Sequence, residues 1–485
     1  MLKLVLLWTD AAIWLLVFAV AVYAFAVRRQ PTLAASWRRV FRDAPAMASS
    51  VVLLACLAVA LLDSIHFRAL LPATEGAAAA YDTRTKSALD LALAPLAESR
   101  ETTYSRPLAF VSFTKESVEI DGRTERIAPR LTFAGSHLSD PAKQWAGDVA
   151  RRAAKGGGLG AVASVLLALL AVLRVARQGQ LRFSDAARAV WRGETELPWR
   201  APLVTAAILL VLGGATASLS GWYHPFGTDV TGNDVLYQSL KSIRTAFVIG
   251  SLATLVTLPL AVSLGILGGY LRGRVDAAVQ YLYTTLSSIP NILLIAACVL
   301  MVQVFLDKNE DLFETGLERA DLKLFLLCVV LGLTGWSGLC RLLRGETLKL
   351  RELEFVQAAQ AFGVSATRIM VRHIFPNVAH LMLIVLVLEF SALILYEAVL
   401  SYVGVGVDPS MNSFGGMINL GRSEMSRDPV VWWSLTSAFV FMFSLVLAAN
   451  LFADGVRDAF DPRARAFRPR VPQRKLAAAA GAAQS

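Results

Sequence analysis

The sequence predicts an all-α polytopic membrane protein with a small extracytoplasmic, partly β subdomain. Of its 485 residues, 55% are hydrophobic and 17% are charged, and the mean hydropathy is +0.54. A soluble domain this apolar would have too little polar surface to cover it. The net charge of +10 lies in short basic blocks between apolar segments. That distribution is typical of membrane topology and argues against a nucleic-acid partner.

Nine segments are apolar enough to cross a lipid bilayer, for which about 20 residues are needed. They are residues 4–27, 46–62, 157–173, 202–219, 245–268, 289–306, 324–339, 378–400 and 431–452. The four cysteines lie in or beside these segments, without the spacing of metal ligands. We interpret them as small apolar core residues and predict no metal site.

The basic residues predict the orientation in the membrane. Lys3 precedes the first apolar segment, whereas Arg28 and Arg29 follow it. A cleaved secretory signal has the opposite arrangement, so we predict a retained helix with its N-terminus outside. Nine spans then put the basic C-terminus in the cytoplasm. Its last part, residues 463–485, is rich in Ala, Pro and Arg and is predicted to be disordered.

A long polar stretch, residues 64–155, separates the second and third predicted spans. Asp121 and Gly122 form a hairpin-turn dipeptide, and residues 109–120 and 123–133 on either side are predicted to be strands. We therefore expect the extracytoplasmic subdomain here. The pattern suits a cap over the membrane helices and a contact surface for a partner equally well.

Residues 344–376 form a charged, amphipathic insert between two apolar segments. The apolar residues that recur with the period of a helix are Phe355, Ala358 or Ala359, and Phe362. Gly363 comes directly after them, where a glycine commonly ends a helix. Ser365 is placed to cap a second helix that runs towards the membrane at Pro376. On these grounds alone, an ordinary cytoplasmic loop with a surface helix fits equally well.

Residues 357–376, QAAQAFGVSATRIMVRHIFP, resemble the signature loop of ABC-transporter permeases. That loop has a Glu-Ala-Ala segment, then a Gly and an Ile-x-Pro ending. In the family it docks into a cleft on a separate ATPase subunit. The resemblance implies a coupling role for Phe355, Gln357, Ala358, Ala359, Phe362, Gly363, Ile374 and Pro376. Gln357 replaces the family's leading Glu, so any salt bridge made there becomes a neutral hydrogen bond.

Residues 221–236, GWYHPFGTDVTGNDVL, are similar to a motif of the permease subgroup that carries dipeptides, oligopeptides and nickel. Asn233 stands where that motif has Arg. Physically, the segment predicts a tight turn on Gly227 and Gly232, with aspartates capping backbone N–H groups. The alternative is a metal site, whose ligands would be His224, Asp229 and Asp234.

Several polar residues at predicted membrane depth are candidates for a translocation pathway. They are Ser287, Ser288, Asn291, Glu389 and Glu397. Carboxylates are costly inside a membrane and usually face a cavity or the interior of a helix bundle. The alternatives are a plain helix kink at Pro290 and, for Glu389, a buried protonated acid.

The resemblance spans about residues 202–462 and implies the permease subunit of a binding-protein-dependent ABC importer of the inner membrane. Residues 201–462 would hold the six helices of a type I permease core. Residues 1–200 would be an extension with three further spans. The solute is expected to be a peptide by analogy with the subgroup.

The implied partners are ABC ATPase subunits, a second homologous permease in a heterodimer, and an extracytoplasmic solute-binding protein. The sequence contains no G-x-x-x-x-G-K-[ST] phosphate loop. We therefore expect no enzyme activity and no cofactor in this chain, with ATP and Mg²⁺ bound by the partner. The alternative class is a secondary, ion-coupled transporter, which would need paired charges within the membrane and an internal repeat.

Overall fold

The computed structural model describes residues 2–70, 81–82, 84–120, 123–313 and 315–460. Within this part, eight helices are long and apolar enough to cross a membrane. The count is nine when two helices that meet at a 40° bend, Gly316–Gly335 and Ser337–Arg351, are taken as one span. Every predicted apolar segment overlaps one of these elements, so the predicted fold class is confirmed. The predicted disordered tail lies outside the described residues.

Three helices follow the first strand. They are α1 (Trp8–Arg29), α2 (Pro31–Val40) and α3 (Ala44–Asp63). The sequence predicted α1 and α3 but not α2, because a 10-residue amphipathic helix gives no hydropathy peak. The ring of Trp37 in α2 lies 5.6 Å from that of Phe460 at the end of the described chain. This contact fastens α2 to the last helix.

A small subdomain caps one end of the helical body, which we call the domain end. Its strands are β1 (Leu2–Val5), β2 (His66–Ala69), β3 (Lys86–Ser87), β4 (Glu116–Ile120) and β5 (Arg123–Ile127), and its helices are α4 (Ala88–Ala92) and α5 (Ala94–Glu98). β4 and β5 form the predicted antiparallel hairpin, with Ile120 opposite Arg123. Both strands are shorter than predicted, and the turn residues 121 and 122 lie outside the described residues.

The second sheet of the subdomain was not predicted. β1 pairs antiparallel with β2, and β2 with β3. Because β1 precedes α1 and β2 follows α3, this pairing brings the start of the chain to the domain end. The sequence did not predict β1 because a hydropathy profile cannot separate a four-residue apolar strand from the long apolar helix that follows it.

The next three helices are α6 (Pro141–Gly179), α7 (Phe183–Arg192) and α8 (Arg200–Ser220). α6 has 39 residues and is much longer than the predicted segment, since its polar first turns belong to the subdomain. Gly156 and Gly160 of α6 lie against Gly214 of α8. A Cβ added at Gly160 would lie 2.1 Å from the carbonyl oxygen of Leu210. Small residues thus let the two helices approach closely, as is common in membranes.

The remaining helices are α9 (Val235–Leu271), α10 (Gly273–Ser288), α11 (Asn291–Lys308), α12 (Gly316–Gly335), α13 (Ser337–Arg351), α14 (Glu354–Ala361), α15 (Ala366–Ile369), α16 (Phe375–Tyr402), α17 (Phe414–Glu424) and α18 (Trp433–Phe460). A 3-10 turn, Glu310–Leu312, precedes α12, and a π-helical turn, Met370–Ile374, joins α15 to α16.

The helix α9 lies at the centre of this body. It has 37 residues and packs against α3, α12, α13, α16 and α18. It runs from the domain end to the opposite end, which we call the basic end. That end carries the connecting segments 30–43, 180–199 and 352–365, which contain the short helices α2, α7 and α14. One continuous helix, with Pro259 in its interior, therefore connects the two ends of the molecule.

Candidate functional site

Two helix breaks face a common cavity inside the helical body. The first lies between the end of α10 at Ser288 and the start of α11 at Asn291, and the second at the bend between α12 and α13. The cavity has a volume of about 540 Å³, and α16 forms its remaining wall. The hydroxyl oxygens of Ser287 and Ser337, one from each break, lie 3.3 Å apart. In a membrane protein, backbone that leaves helical geometry is tolerated where it lines such a cavity.

Four of the five predicted pathway residues line this cavity. They are Ser287, Ser288, Asn291 and Glu389. The alternative prediction was a kink at Pro290 within one helix. Instead, α10 ends at Ser288 and α11 begins at Asn291, so Pro290 lies between two helices. Glu389 is half-buried, and no hydrogen bond or ion pair to its carboxyl group is found within the described part of the chain.

Glu397 is not brought to the cavity. It lies about two turns further along α16, where it is buried, and it accepts a hydrogen bond of 2.6 Å from Ser401 Oγ. A Cβ added at Gly415 of α17 would lie 2.7 Å from Glu397 Oε1. The carboxyl group thus lies in the packing contact between α16 and α17.

The predicted helix–Gly–helix is present at the basic end. α14 ends at Ala361, and Gly363 has a φ of +74°, which favours glycine. Its N–H donates to Gln360 O at 3.0 Å, and the N–H of Val364 donates to Ala359 O at 3.1 Å. These bonds satisfy carbonyl groups left free at the helix end. Ser365 occupies the N-cap position of α15, but its side chain makes no capping hydrogen bond.

The two faces of α14 differ sharply in exposure. Val356 and Ala359 are buried against the helical body, and Ile374 of the π-helical turn is buried beside them. Ala359 and Ile374 therefore face this chain and not a partner. Phe355, Ala358 and Phe362, by contrast, are exposed, and the Phe362 side chain is 88% exposed. The predicted apolar stripe thus lies on the exposed face of α14.

Side chains around α14 bind the end of α9. Arg351 Nη1 donates to Tyr270 O at 2.9 Å, and Gln360 Nε2 donates to the Tyr270 hydroxyl at 3.2 Å. The side chain of Gln357, the residue that replaces the family's Glu, donates to Glu352 O at 3.2 Å. This bond is local to the start of α14 and does not reach a partner. Nothing in the sequence pattern identified Tyr270 or Gln360.

An ion pair also joins α13 to α10, close to the end of α9. Arg344 of α13 contacts Asp276 of α10 with both its Nε and its Nη2 atoms, the latter at 2.8 Å. The hydrogen bonds from Arg344 lower the pKa of the Asp276 carboxyl group and outweigh the effect of its partial burial. Residues 344–351, which were predicted as part of the insert, are the last turns of α13.

Pro376 lies within a continuous helical run from Ala366 to Tyr402. Proline lacks an N–H group and its ring crowds the carbonyl group four residues earlier. The π-helical turn at Met370–Ile374, directly before α16, widens the helix where this crowding occurs. The Ile-x-Pro ending thus lies in a helix that continues without a break.

The glycine-rich motif at residues 221–236 lies at the domain end and has the predicted turn geometry. Gly227 and Gly232 have φ values of +75° and +78°. Asp229 Oδ1 accepts hydrogen bonds from the N–H groups of Thr231 and Asn233, and Asp234 caps α9 at Tyr237 N. The predicted capping by the two aspartates is confirmed. Among the described residues, no group of His, Cys, Asp and Glu is arranged to hold a metal ion.

The segment Glu101–Ser105 of the subdomain lies along this motif. A Cβ at Gly232 would lie 1.8 Å from Glu101 O, and the N–H of Glu101 donates to Gly232 O at 3.0 Å. The N–H of Thr228 donates in turn to Ser105 O at 3.1 Å. The close approach of the two backbones explains the glycine at position 232.

His224 lies buried between two carboxylates in this contact. Its Nδ1 is 2.7 Å from Asp234 Oδ2, and its Nε2 is 3.6 Å from Glu101 Oε1. Burial lowers the pKa of His224, but the contacts with Asp234 and Glu101 outweigh it and raise this pKa to about 9. Burial raises the pKa of Glu101, but His224 and hydrogen bonds from Thr132 and Ala134 outweigh it and lower this pKa to about 2. The site is a charged structural link between subdomain and helical body.

A second buried charge cluster joins α1 to the helical body. Arg244 of α9 lies 2.6 Å from Asp10 of α1 and 3.6 Å from Asp321 of α12. Asp10 also lies 2.7 Å from His66 Nδ1, and Thr9 donates its backbone N–H to Asp321 at 3.1 Å. The sequence did not predict this cluster, because its residues are far apart in the chain. All of these side chains are buried.

Comparison with known proteins places this chain among membrane transport components. A family model described as "Binding-protein-dependent transport system inner membrane component" matches residues 261–466. The oligopeptide transport system permease protein OppC of Haemophilus influenzae is 31% identical over 271 residues, which cover 56% of this chain and 80% of that protein. OppC of Mycobacterium bovis is 33% identical over 248 residues, covering 51% and 79%. OppC of Escherichia coli K12 is 32% identical over 242 residues, covering 50% and 73%.

Among solved structures, the MetNI methionine ABC transporter in inward-facing conformations shares 18% identity with this chain. The match covers 47% of this chain and 94% of that chain, with a TM-score of 0.34. At this TM-score the likeness has no bearing on the site described above.

Proposed function

Because the chain belongs to the family of binding-protein-dependent transport system inner membrane components, within the oligopeptide and dipeptide permeases, we propose that it forms part of the path through which an ATP-driven importer moves a peptide. A solute-binding protein delivers the peptide at the domain end. A separate ATPase binds ATP and Mg²⁺ at the basic end. The chain is a multi-pass protein of the inner membrane, with its N-terminus outside and its C-terminus in the cytoplasm.

The observation that carries this proposal is the exposed apolar stripe of α14. Phe355 and Phe362 present large side chains to solvent, although the opposite face of the same helix is buried. Exposed apolar surface on a short helix supports a partner that covers it. Since Tyr270 binds this segment to α9, movement of a docked ATPase would be transmitted to the central helix. Residues 344–376 are thus proposed as the coupling segment.

The cavity at the two helix breaks is proposed as part of the translocation path. Ser287, Ser288 and Asn291 offer hydroxyl and amide groups there, and Glu389 offers a carboxyl group without a partner in the described chain. The outer face of α10 is also polar, with Gln280, Thr284 and Thr285 on one side. Polar side chains on a membrane helix usually face protein or water. This face supports a second permease subunit that completes the path.

Residues 1–200 are proposed to be an extension that stabilises the permease core of residues 201–462. Residue 200 begins α8, so the predicted boundary coincides with a helix start. The extension contacts the core through the Arg244 cluster and through the Glu101–His224 contact. Both contacts lie at the domain end, where the extension would also neighbour an incoming binding protein.

The alternative function, an ion-coupled transporter, has one observation in its favour. The Arg244 cluster is a set of paired, buried charges of the kind such transporters use. Each of its charged members has a partner within the cluster, however, and none of them lines the cavity. An ATP-driven mechanism therefore remains the function that the site supports best.

The experiment that tests the proposal is affinity purification of the tagged chain in a mild detergent, followed by mass spectrometry. We expect ATP-binding subunits and a second permease to be recovered with it. Phe362→Ser should lose the ATP-binding subunits and keep the second permease. Phe183→Ser, which changes a phenylalanine of α7 that is 46% exposed, should keep both. Recovery of the chain alone in several detergents would contradict the proposal and favour the ion-coupled alternative.

The proposed path has its own test. Glu389→Gln keeps the size of the side chain and removes its charge, and we expect it to lower tripeptide uptake while the purified complex keeps its composition. The control is Glu194→Gln, which removes an exposed carboxylate from the segment after α7. Equal uptake by the two variants would exclude Glu389 from the path.

A further inference from the structure

A second cavity lies on the outer surface of the helical body, between α3, α6 and α8. It has a volume of about 720 Å³, within the range of ligand-binding pockets. Its walls are apolar and include Val51 of α3, Leu170 of α6 and Leu203 of α8. Leu170 is 65% exposed, so the cavity opens sideways from the membrane-spanning surface and not towards water at either end. A molecule that occupies it must present an apolar body.

Basic side chains border the same cavity at one end. Arg174 and Arg177 lie three residues apart on α6, and so project from one face of that helix. Neither arginine forms an ion pair with a carboxylate in the described part of the chain. Trp199, whose ring contributes to the wall nearby, is of the residue type that settles at the membrane–water boundary. Arg174 and Arg177, which have no ion-pair partner among the described residues, therefore lie beside an apolar groove at the basic end of the helical body.

From this arrangement we infer that the groove between α3, α6 and α8 binds an anionic phospholipid. One acyl chain lies along the apolar walls, and the phosphate group is held by Arg174 and Arg177. Guanidinium groups bind phosphate oxygens in a bidentate manner, and basic pockets between membrane helices are known to hold anionic head groups. A zwitterionic lipid fits the apolar walls equally well but places a positive group beside the two arginines.

The inference predicts selectivity for the lipid head group and not for its acyl chains. Native mass spectrometry of the full chain in detergent would compare phosphatidylglycerol with phosphatidylcholine of identical acyl chains, added at equal concentration. We expect at least tenfold more retained phosphatidylglycerol, at one molecule per chain. The variant Arg174→Gln/Arg177→Gln should reduce that retention to the level of phosphatidylcholine.

The matched control is Arg182→Gln/Arg188→Gln, which removes two exposed arginines of the neighbouring α7 segment that do not border the groove. It should retain phosphatidylglycerol as the unchanged chain does. Leu170→Trp fills the groove from its exposed edge without loss of charge, and should also abolish retention. Equal retention of the two lipids by the unchanged chain would overturn the inference. So would an equal loss of phosphatidylglycerol in the groove and control variants, since general attraction to basic loops would then explain it.

Discussion

The side-chain amide of Gln360 donates a hydrogen bond of 3.2 Å to the hydroxyl group of Tyr270. This bond joins the short helix that carries the exposed phenylalanines to the last turn of the central helix. Arg351 reinforces it by binding the backbone carbonyl group of the same tyrosine. A force applied to α14 from the basic end is therefore delivered to α9, which extends to the glycine-rich motif at the domain end.

Tyr270→Phe tests this junction by removing one hydroxyl group. The loss of a single hydrogen bond costs about 1 kcal/mol, so the complex should assemble normally. We expect the amount of peptide transported per ATP hydrolysed to fall by up to about fivefold, as 1 kcal/mol allows. The measurement is uptake and ATP hydrolysis in the same proteoliposomes. Tyr23→Phe, which removes a hydroxyl group of α1 that accepts a hydrogen bond of 3.2 Å from Trp37 Nε1, is the control, and a matching fall there would show that the junction has no special role.

Gly363→Asp tests the proposed docking surface. The aspartate adds a charge beside Phe362 and should abolish uptake while membrane insertion stays intact. The positive φ costs about 1–2 kcal/mol for a residue with a Cβ, and this strain must be separated from the effect on docking. Gly273→Asp supplies the control, since Gly273 also has a positive φ, +60°, and open space around it. Uptake should persist in that variant. Normal uptake by Gly363→Asp would remove the basis for the coupling assignment.

Arg244→Leu tests the buried charge cluster. The substitution leaves the carboxylates of Asp10 and Asp321 buried without their cation, which costs about 3–5 kcal/mol for a buried pair. We expect a clear fall in the apparent melting temperature of the purified chain, and detachment of α1 from α9. Arg319→Leu breaks an exposed ion pair with Asp307, which is worth about 0–1 kcal/mol. Similar melting temperatures for the two variants would mean that the cluster does not fasten the extension.

The contact between Glu101 and His224 predicts a dependence of stability on pH. The pKa of His224 is raised to about 9, so its contribution is complete below the pKa of a free histidine and is lost as the pH rises through 9. The pKa of Glu101 is lowered to about 2, so its contribution is lost only as the pH falls through 2. Between pH 6 and pH 9.5 the melting temperature should therefore fall by a few degrees. In His224→Gln this decrease should be smaller, and an unchanged decrease would assign it to other groups.

The membrane helices were predictable because about 20 consecutive apolar residues suffice to identify each one. The same profile could not show where helices continue beyond the membrane. It therefore missed the first turns of α6, and it missed α2, whose 10 residues bury only one face. The turns at Gly227, Gly232 and Gly363 were predictable from the local residue pattern, but the approach of the Glu101 backbone to Gly232 was not.

Contacts between distant parts of the chain were not predictable. Asp10 and Arg244 are separated by 234 positions, and Gln360 and Tyr270 by 90. No periodicity or local motif links residues so far apart, and their pairing follows only from how the helices pack. For the same reason the sequence grouped Glu397 with Glu389, although Glu397 is buried between α16 and α17 and Glu389 lines the cavity.

The central claim is that the exposed stripe of α14 binds the ATPase, and site-specific photocrosslinking tests it most directly. A benzophenone amino acid would replace Phe362, and in a separate variant Phe439, which is 57% exposed on α18 within the membrane-spanning part. Irradiation of the intact complex should give an adduct with the ATP-binding subunit from position 362 and none from position 439. If the complex is intact and position 362 gives no such adduct, the ATPase does not bind this helix and the proposed coupling segment is wrong.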